Sequence, residues 1–174
     1  MTEKIIAMQP AHPTADPAAF VAEAERITNE RDVAAISDVF AEDGSWTTVF
    51  NGLDKTVVGH DDIRARWQFI CRFMTARRMR VAKQLVVCDS HTIVNEWTGT
   101  MGTRTEVRGI EIWQFSADGF VNSQRLYGFL NVGPEGNLGL NLRMLGAYPV
   151  TAAALGWARL HVDRLQFRAG RPWR

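Results

Sequence analysis

The sequence predicts an α+β fold, with three N-terminal helices packed on one face of an antiparallel sheet. Three observations carry this. Before residue 77 three segments carry apolar residues at helical spacing, two of them ahead of a short hairpin and one after it. From residue 80 onward the pattern changes to four long alternating segments separated by turn residues. A chain of 174 residues, 46% apolar and 22% charged, suits one domain with a core of its own.

The elements follow in order. Residues 1–15, with Pro10 and Pro13, read as a flexible arm. Asp16-Pro17 is a helix start, because aspartate caps free amides and proline suits the first turn. Phe20, Ala24 and Ile27 then mark one helical face. A second short helix carries Val33, Ile36 and Phe40 and is expected to end at Asp43-Gly44. Trp46, Thr48 and Phe50 alternate along a strand, Asn51-Gly52 turns the chain, and Lys55 to Val58 return. Gly59-His60-Asp61-Asp62 introduces a third helix with the stripe Ile63, Trp67, Ile70, Cys71 and Met74. Asp61 and Asp62 favour its N-terminus. Residues 80–88, 91–101, 105–115 and 120–130 read as strands, with turns at Asp89-Ser90, Gly102 and Asp118-Gly119.

The domain is thus expected over residues 16–132, followed by an extension over 133–174. That extension opens with the loop Gly133-Pro134-Glu135-Gly136, is ambiguous over 138–144 and reads as helical over 151–167. Its apolar residues, among them Leu138, Leu142 and Leu145, suit a lid over a pocket, a cover for the outer sheet face or a dimer contact.

Composition excludes several classes of function. A net charge of +1 gives no reason to expect a nucleic-acid partner or an anionic membrane surface. The polar, proline-interrupted N-terminus does not read as a signal peptide, and no apolar run approaches a membrane span. The expected location is therefore cytoplasmic. Cys71 and Cys88 lie outside any metal-binding spacing and read as buried thiols. No His, Asp or Glu spacing suggests a metal, and neither a GxSxG motif nor a glycine-rich phosphate loop is present. No cofactor is expected.

Three segments carry a family resemblance. "RDVAAISDVFAEDGSW" resembles the start of SnoaL-like and ketosteroid-isomerase-like proteins, "VVGHDDIRARW" their G-H-x-x-I helix start, and "VRGIEIWQFSADGFVNSQRLY" their last hairpin with its F-x-x-D-G turn. Together they cover roughly residues 20 to 130. The resemblance implies the nuclear-transport-factor-2-like cone, in which a strongly curved sheet wraps against three helices around one pocket. It also implies a homodimer and a small, largely apolar ligand. It does not fix a reaction, since such folds host several chemistries.

The resemblance also points to site residues. It places Glu111 where ketosteroid isomerases carry a protonated aspartic acid, and it puts Glu96 and Thr98 on a pocket-facing phase of the neighbouring strand. Glu111 and Glu96 then form two carboxyls in one apolar cleft, walled by Trp46, Phe50 and Trp113. Such a pair divides into acid and base, because two adjacent carboxylates do not both ionise cheaply. The alternatives are that either one pairs with a nearby base such as Arg104, Arg108 or Arg125, or that it orients a ligand without chemistry. His60, at the start of the third helix, is a candidate base or a loop anchor. Gln124 and Leu126 face the pocket on the last strand, with Arg125 and Tyr127 facing away. The family's usual bases are missing, for their positions align with Thr48 and Leu126. The function expected is a cofactor-independent isomerase, lyase or cyclase working by proton transfer on an apolar carbonyl or hydroxylated compound. The alternative is a module that binds a small ligand or serves assembly without chemistry.

Overall fold

The computed structural model describes residues 12–103, 105–133 and 137–161. Residues 13–15 form a 3-10 turn, followed by α1 (Pro17–Glu30) and α2 (Val33–Asp38). Strands β1 (Phe40–Phe50) and β2 (Leu53–Val58) precede α3 (His60–Ala76). Then come β3 (Met79–Cys88), β4 (Thr92–Met101), β5 (Thr105–Phe115) and β6 (Val121–Val132). Helices α4 (Leu138–Ala147) and α5 (Pro149–His161) follow.

Local chemistry explains the boundaries. The Asp16 carboxylate accepts a hydrogen bond from the Ala19 amide, and Pro17 opens α1 as expected. Arg31 closes that helix in the left-handed conformation at φ 64°. Asn51 and Gly52, both at positive φ, form the tight β1–β2 turn that the Asn-Gly pair requires.

The six strands form one sheet in the order β2-β1-β6-β5-β4-β3. This sheet is mixed, because β1 runs parallel to β6 while the other neighbouring strands are antiparallel. The expected purely antiparallel sheet is corrected at that one junction. Register shifts in β1, in β3 and between β5 and β6 bend the sheet. Gly44, expected to terminate the second helix, lies instead within β1 at such an irregularity. A Cβ there would stand 2.9 Å from the carbonyl oxygens of both Ala41 and Val121.

The core lies between the sheet and the helices. Ile63, Trp67, Ile70, Cys71 and Met74 of α3 and Val21, Ala24 and Ile27 of α1 are buried against Trp46, Ile93, Val107 and Trp113. β3 is an edge strand, and α1 covers its free backbone. Asn29 donates to the Val81 carbonyl at 2.8 Å and accepts from the Val81 amide at 3.0 Å, while Glu25 accepts from the Lys83 amide at 2.7 Å. Arg31 adds bonds to the carbonyls of Thr28 and Met79. These contacts satisfy an edge that would otherwise invite pairing with another chain.

The expected loose arm holds for no described residue. His12 packs edge-on to Phe115 and donates to the Ser116 carbonyl at 3.0 Å, and Thr14 donates to the Ser90 carbonyl. Residues 1–11 lie outside the described ones.

Residues 12–132 and 133–161 belong to separate compact units. In the second, α4 starts at Asn137, whose side chain accepts from the Leu140 amide, and α4 contacts α5. Leu138, Leu142, Leu145, Tyr148 and Val150 are exposed. The part of the expected 151–167 helix beyond His161 lies outside the described residues.

Candidate functional site

A cavity of about 410 Å³ opens between α3 and the concave sheet face. Helix α3 contributes Arg66, Trp67, Phe69, Ile70, Phe73 and Met74. Phe50, Leu53 and Lys55 come from the β1–β2 hairpin, Trp97 from β4, and Leu126 and Leu130 from β6. Met79, Val81 and Lys83 line it from β3, and Glu111 from β5. The volume suits a small organic molecule, and the walls are mostly apolar.

Two glycines let the aromatic walls lie close to the sheet. Gly109 and Gly128 face each other across β5 and β6. A Cβ on Gly109 would meet the Trp97 ring at 2.5 Å, and one on Gly128 would meet the Phe50 ring at 2.5 Å.

One buried polar chain reaches the cavity. Lys83 Nζ donates to both carboxylate oxygens of Glu111 at 2.8 Å. The side chains of Lys83 and Glu111 are only 3% and 5% exposed. Asn95 Nδ2 donates to Glu111 Oε2 at 3.1 Å, and Trp113 Nε1 donates to Asn95 Oδ1 at 2.8 Å. Lys83 Nζ also lies 5.8 Å from the centre of the Trp113 ring. The carboxylate therefore has a cation on one side and an amide held by an indole on the other. Glu111 is paired, as one alternative required, but with Lys83 rather than Arg108 or Arg125; Arg104 lies outside the described residues.

A second polar group sits on the hairpin side. Arg66 Nη2 donates to Thr48 Oγ1 at 2.7 Å, and Thr48 donates in turn to the Lys55 carbonyl. Burial pulls the Arg66 guanidinium below its ordinary value. Its carbon lies 5.2 Å from the centre of the Phe69 ring.

The expected site residues separate into three groups. Glu111, Phe50 and Leu126 line the cavity, and Thr48, fully buried, touches it through Arg66. Trp46, Trp113 and Gln124 lie beneath it in the core, at 1%, 1% and 2% exposure. Trp46 packs on Trp67, and among the described residues neither its Nε1 nor Gln124 Oε1 has a hydrogen-bond partner. Glu96, Thr98 and His60 are not at the cavity. Glu96 and Thr98 are exposed on the opposite face of β4. Residues opposed across an antiparallel pair share a face, and Glu111 opposes Asn95, not Glu96. A slip of one residue thus sends a carboxylate to solvent and brings an amide inside. His60 Nε2 donates to the Phe40 carbonyl at 2.8 Å and anchors the start of α3 to β1.

Lys83, Asn95 and Arg66 were not singled out from the sequence. Lys83 had a usable signal: it falls in phase with Met79, Val81 and Leu85 on β3, where an inward cation needs a partner.

Comparison with known families matches residues 18–123 to the SnoaL-like domain. The chain belongs to the SnoaL-like family. Solved structures similar to this SnoaL-like domain agree on its architecture. An uncharacterised protein with a cystatin-like fold from Methylobium petroleophilum PM1 is 19% identical, with a TM-score of 0.55 over 74% of this chain and 85% of its own. A nuclear-transport-factor-2-like protein from Mesorhizobium loti is 17% identical, with a TM-score of 0.55 over 68% and 95%. SalBIII, an epoxide hydrolase/cyclase-like enzyme in pyran ring formation in salinomycin, is 21% identical, with a TM-score of 0.51 over 70% and 94%. At these identities the likeness is one of fold. The curated proteins contain no match to the sequence. Among the described residues no helix is long and apolar enough to cross a membrane, and no three His, Cys, Asp or Glu side chains group as for a metal ion.

Proposed function

We propose that the SnoaL-like domain is a cofactor-independent enzyme of the isomerase, lyase or cyclase kind, moving a proton on a small apolar carbonyl compound held in the α3–sheet cavity. The observation that carries this reading is the Lys83–Glu111 pair, buried at 3% and 5% side-chain exposure and yet lining the cavity. A buried ion pair is a poor source of stability, because desolvating two charges offsets most of their attraction. Placed in an apolar cleft, it is a candidate for chemistry.

The roles follow from the geometry. Glu111 is the base: a carboxylate oxygen takes a proton from the carbon next to the substrate carbonyl. The C–H electron pair forms a C=C bond, and the carbonyl π electrons move to oxygen. Lys83 stabilises that oxyanion as an ammonium. The oxyanion then re-forms the carbonyl as the proton on Glu111 passes to another carbon of a conjugated enolate, as the enolate expels a β-substituent that takes that proton, or as the enolate carbon closes a ring on a second carbonyl of the same molecule, whose oxygen takes the proton. Asn95, held by Trp113, fixes the carboxylate during both steps. Glu111 thus acts as a base, unlike the protonated acid that the resemblance assigned to its position.

Proton exchange tests this without knowing the product. NMR in D2O should show the α-protons of 2-tetralone, or of another cyclic ketone in a panel, exchanging faster with the protein than in buffer. Glu111→Gln should return the rate to that of buffer. Exchange at the buffer rate across the whole panel, or at the full rate with Glu111→Gln, would overturn the proposal. One observation favours plain ligand binding as a second reading: both oxygens of Glu111 are already engaged. Tight binding of a ketone without exchange would select it.

A further inference from the structure

We infer that the ligand of this cavity carries a carboxylate, and that Arg66, Lys55 and Thr48 hold it. The inference rests on the cavity being a ligand site, as proposed above, and adds the class of molecule.

The cavity holds more hydrogen-bond donors than acceptors on its hairpin side. The cavity is lined by five ionisable residues: Asp54, Lys55, Arg66, Lys83 and Glu111. Lys83 and Glu111 neutralise each other. On β2 the residue opposite Thr48 is Lys55, so Lys55 shares the inward face with Thr48, while Asp54 opposes Val49 on the other phase. Arg66 therefore sits at the Thr48 hydroxyl, and the exposed Lys55 borders the same end of the cavity. Among the described residues, neither Arg66 nor Lys55 has a carboxylate within 4.0 Å.

The unused hydrogen-bonding groups point the same way. Among the described residues Arg66 Nε is buried without an acceptor. Trp97, 3% exposed, lines the cavity, and its Nε1 also lacks one. Both are donors only. Burying a donor without an acceptor is costly, and a desolvated guanidinium more so. A ligand oxyanion supplies what is missing, and a guanidinium binds the two oxygens of a carboxylate side by side. The apolar surface from Phe69 to Met74 then takes the hydrocarbon part. An aromatic or alicyclic acid fits, with its carboxylate on the hairpin side and its apolar body toward Lys83 and Glu111.

The test compares two probes of one shape by calorimetry: 2-naphthoate and the neutral 2-naphthalenemethanol. The naphthoate should bind at least about tenfold more tightly to the native protein, a difference of roughly 1.4 kcal/mol. Arg66→Gln should erase the preference, with weaker naphthoate binding and unchanged alcohol binding. Glu96→Gln, on the exposed outer face of β4, should leave the preference intact. Equal affinity of the two probes for the native protein overturns the inference while leaving the cavity a ligand site. Binding of neither overturns both. The probe comparison on native protein decides the matter even where Arg66→Gln fails to fold, which a melting curve would reveal.

Discussion

The Lys83 ammonium lies 2.8 Å from each carboxylate oxygen of Glu111, and both side chains are almost wholly out of solvent. Each charge is tolerable only because of the other. Lys83→Met alone should therefore lower unfolding stability by about 3–5 kcal/mol, since it strands a buried carboxylate. The double variant Lys83→Met/Glu111→Leu should recover most of that loss. Urea unfolding of the three proteins measures it. A double variant as unstable as the single one would show that lost packing, not charge, dominates.

Glu96 should behave in the opposite way. It is exposed on the outer face of β4. Glu96→Gln should leave stability within about 0.5 kcal/mol of native and leave proton exchange on a ketone unchanged. A loss of exchange comparable to that of Glu111→Gln would mean that β4 presents its other face to the ligand.

Gly109→Ala should damage both wall and sheet. The new Cβ would stand 2.0 Å from the Tyr127 carbonyl oxygen and 2.5 Å from the Trp97 ring. Overpacking of this kind costs about 1–3 kcal/mol, and backbone contact raises it. Thermal melting should fall, and any naphthoate binding should weaken as Trp97 moves. Native-like melting and binding would show that β5 and β6 separate easily.

Cys71 supplies a pH dependence. Burial pushes its thiol above the ordinary value of 9.0, and Arg31 opposes this only in part. A group with a raised folded value adds full stability below its unfolded value and loses it as pH rises through the folded one. Stability should thus decline above pH 9, and Cys71→Ala should flatten that decline. Iodoacetamide at pH 8 should label the half-buried Cys88 before the buried Cys71. Equal labelling would contradict the burial of α3.

Much of this fold was legible because periodicity reports local geometry. The stripe from Ile63 to Met74 is helical with the Asp-rich start that a helix favours, and strands β3 to β6 fall within two residues of expectation. The parallel pairing of β1 with β6 was not legible, since nothing local in "WTTVF" names a partner so far along the chain. At the site, the last strand was read in the right phase: Gln124, Leu126 and Gly128 face inward. On β4 the phase was wrong by one residue. There Ile93 and Trp97, the bulkier alternating pair, mark the inner face and carry Asn95 with them. The Lys83–Glu111 contact joins two strands that are not neighbours, and no spacing along the sequence encodes it.

The β1–β6 junction bears on how the chain is born. Thr48 meets Leu126 only after nearly eighty further residues have been made. During synthesis β1 and β2 must wait as an unpaired hairpin while the ribosome delivers the rest of the sheet, and distant pairings of this kind are slow to form. The cavity between hairpin, helix and sheet thus has no existence on a nascent chain shorter than residue 132. A stalled or truncated product would expose Trp46 and Phe50 to chaperones rather than fold into a smaller working version of the protein.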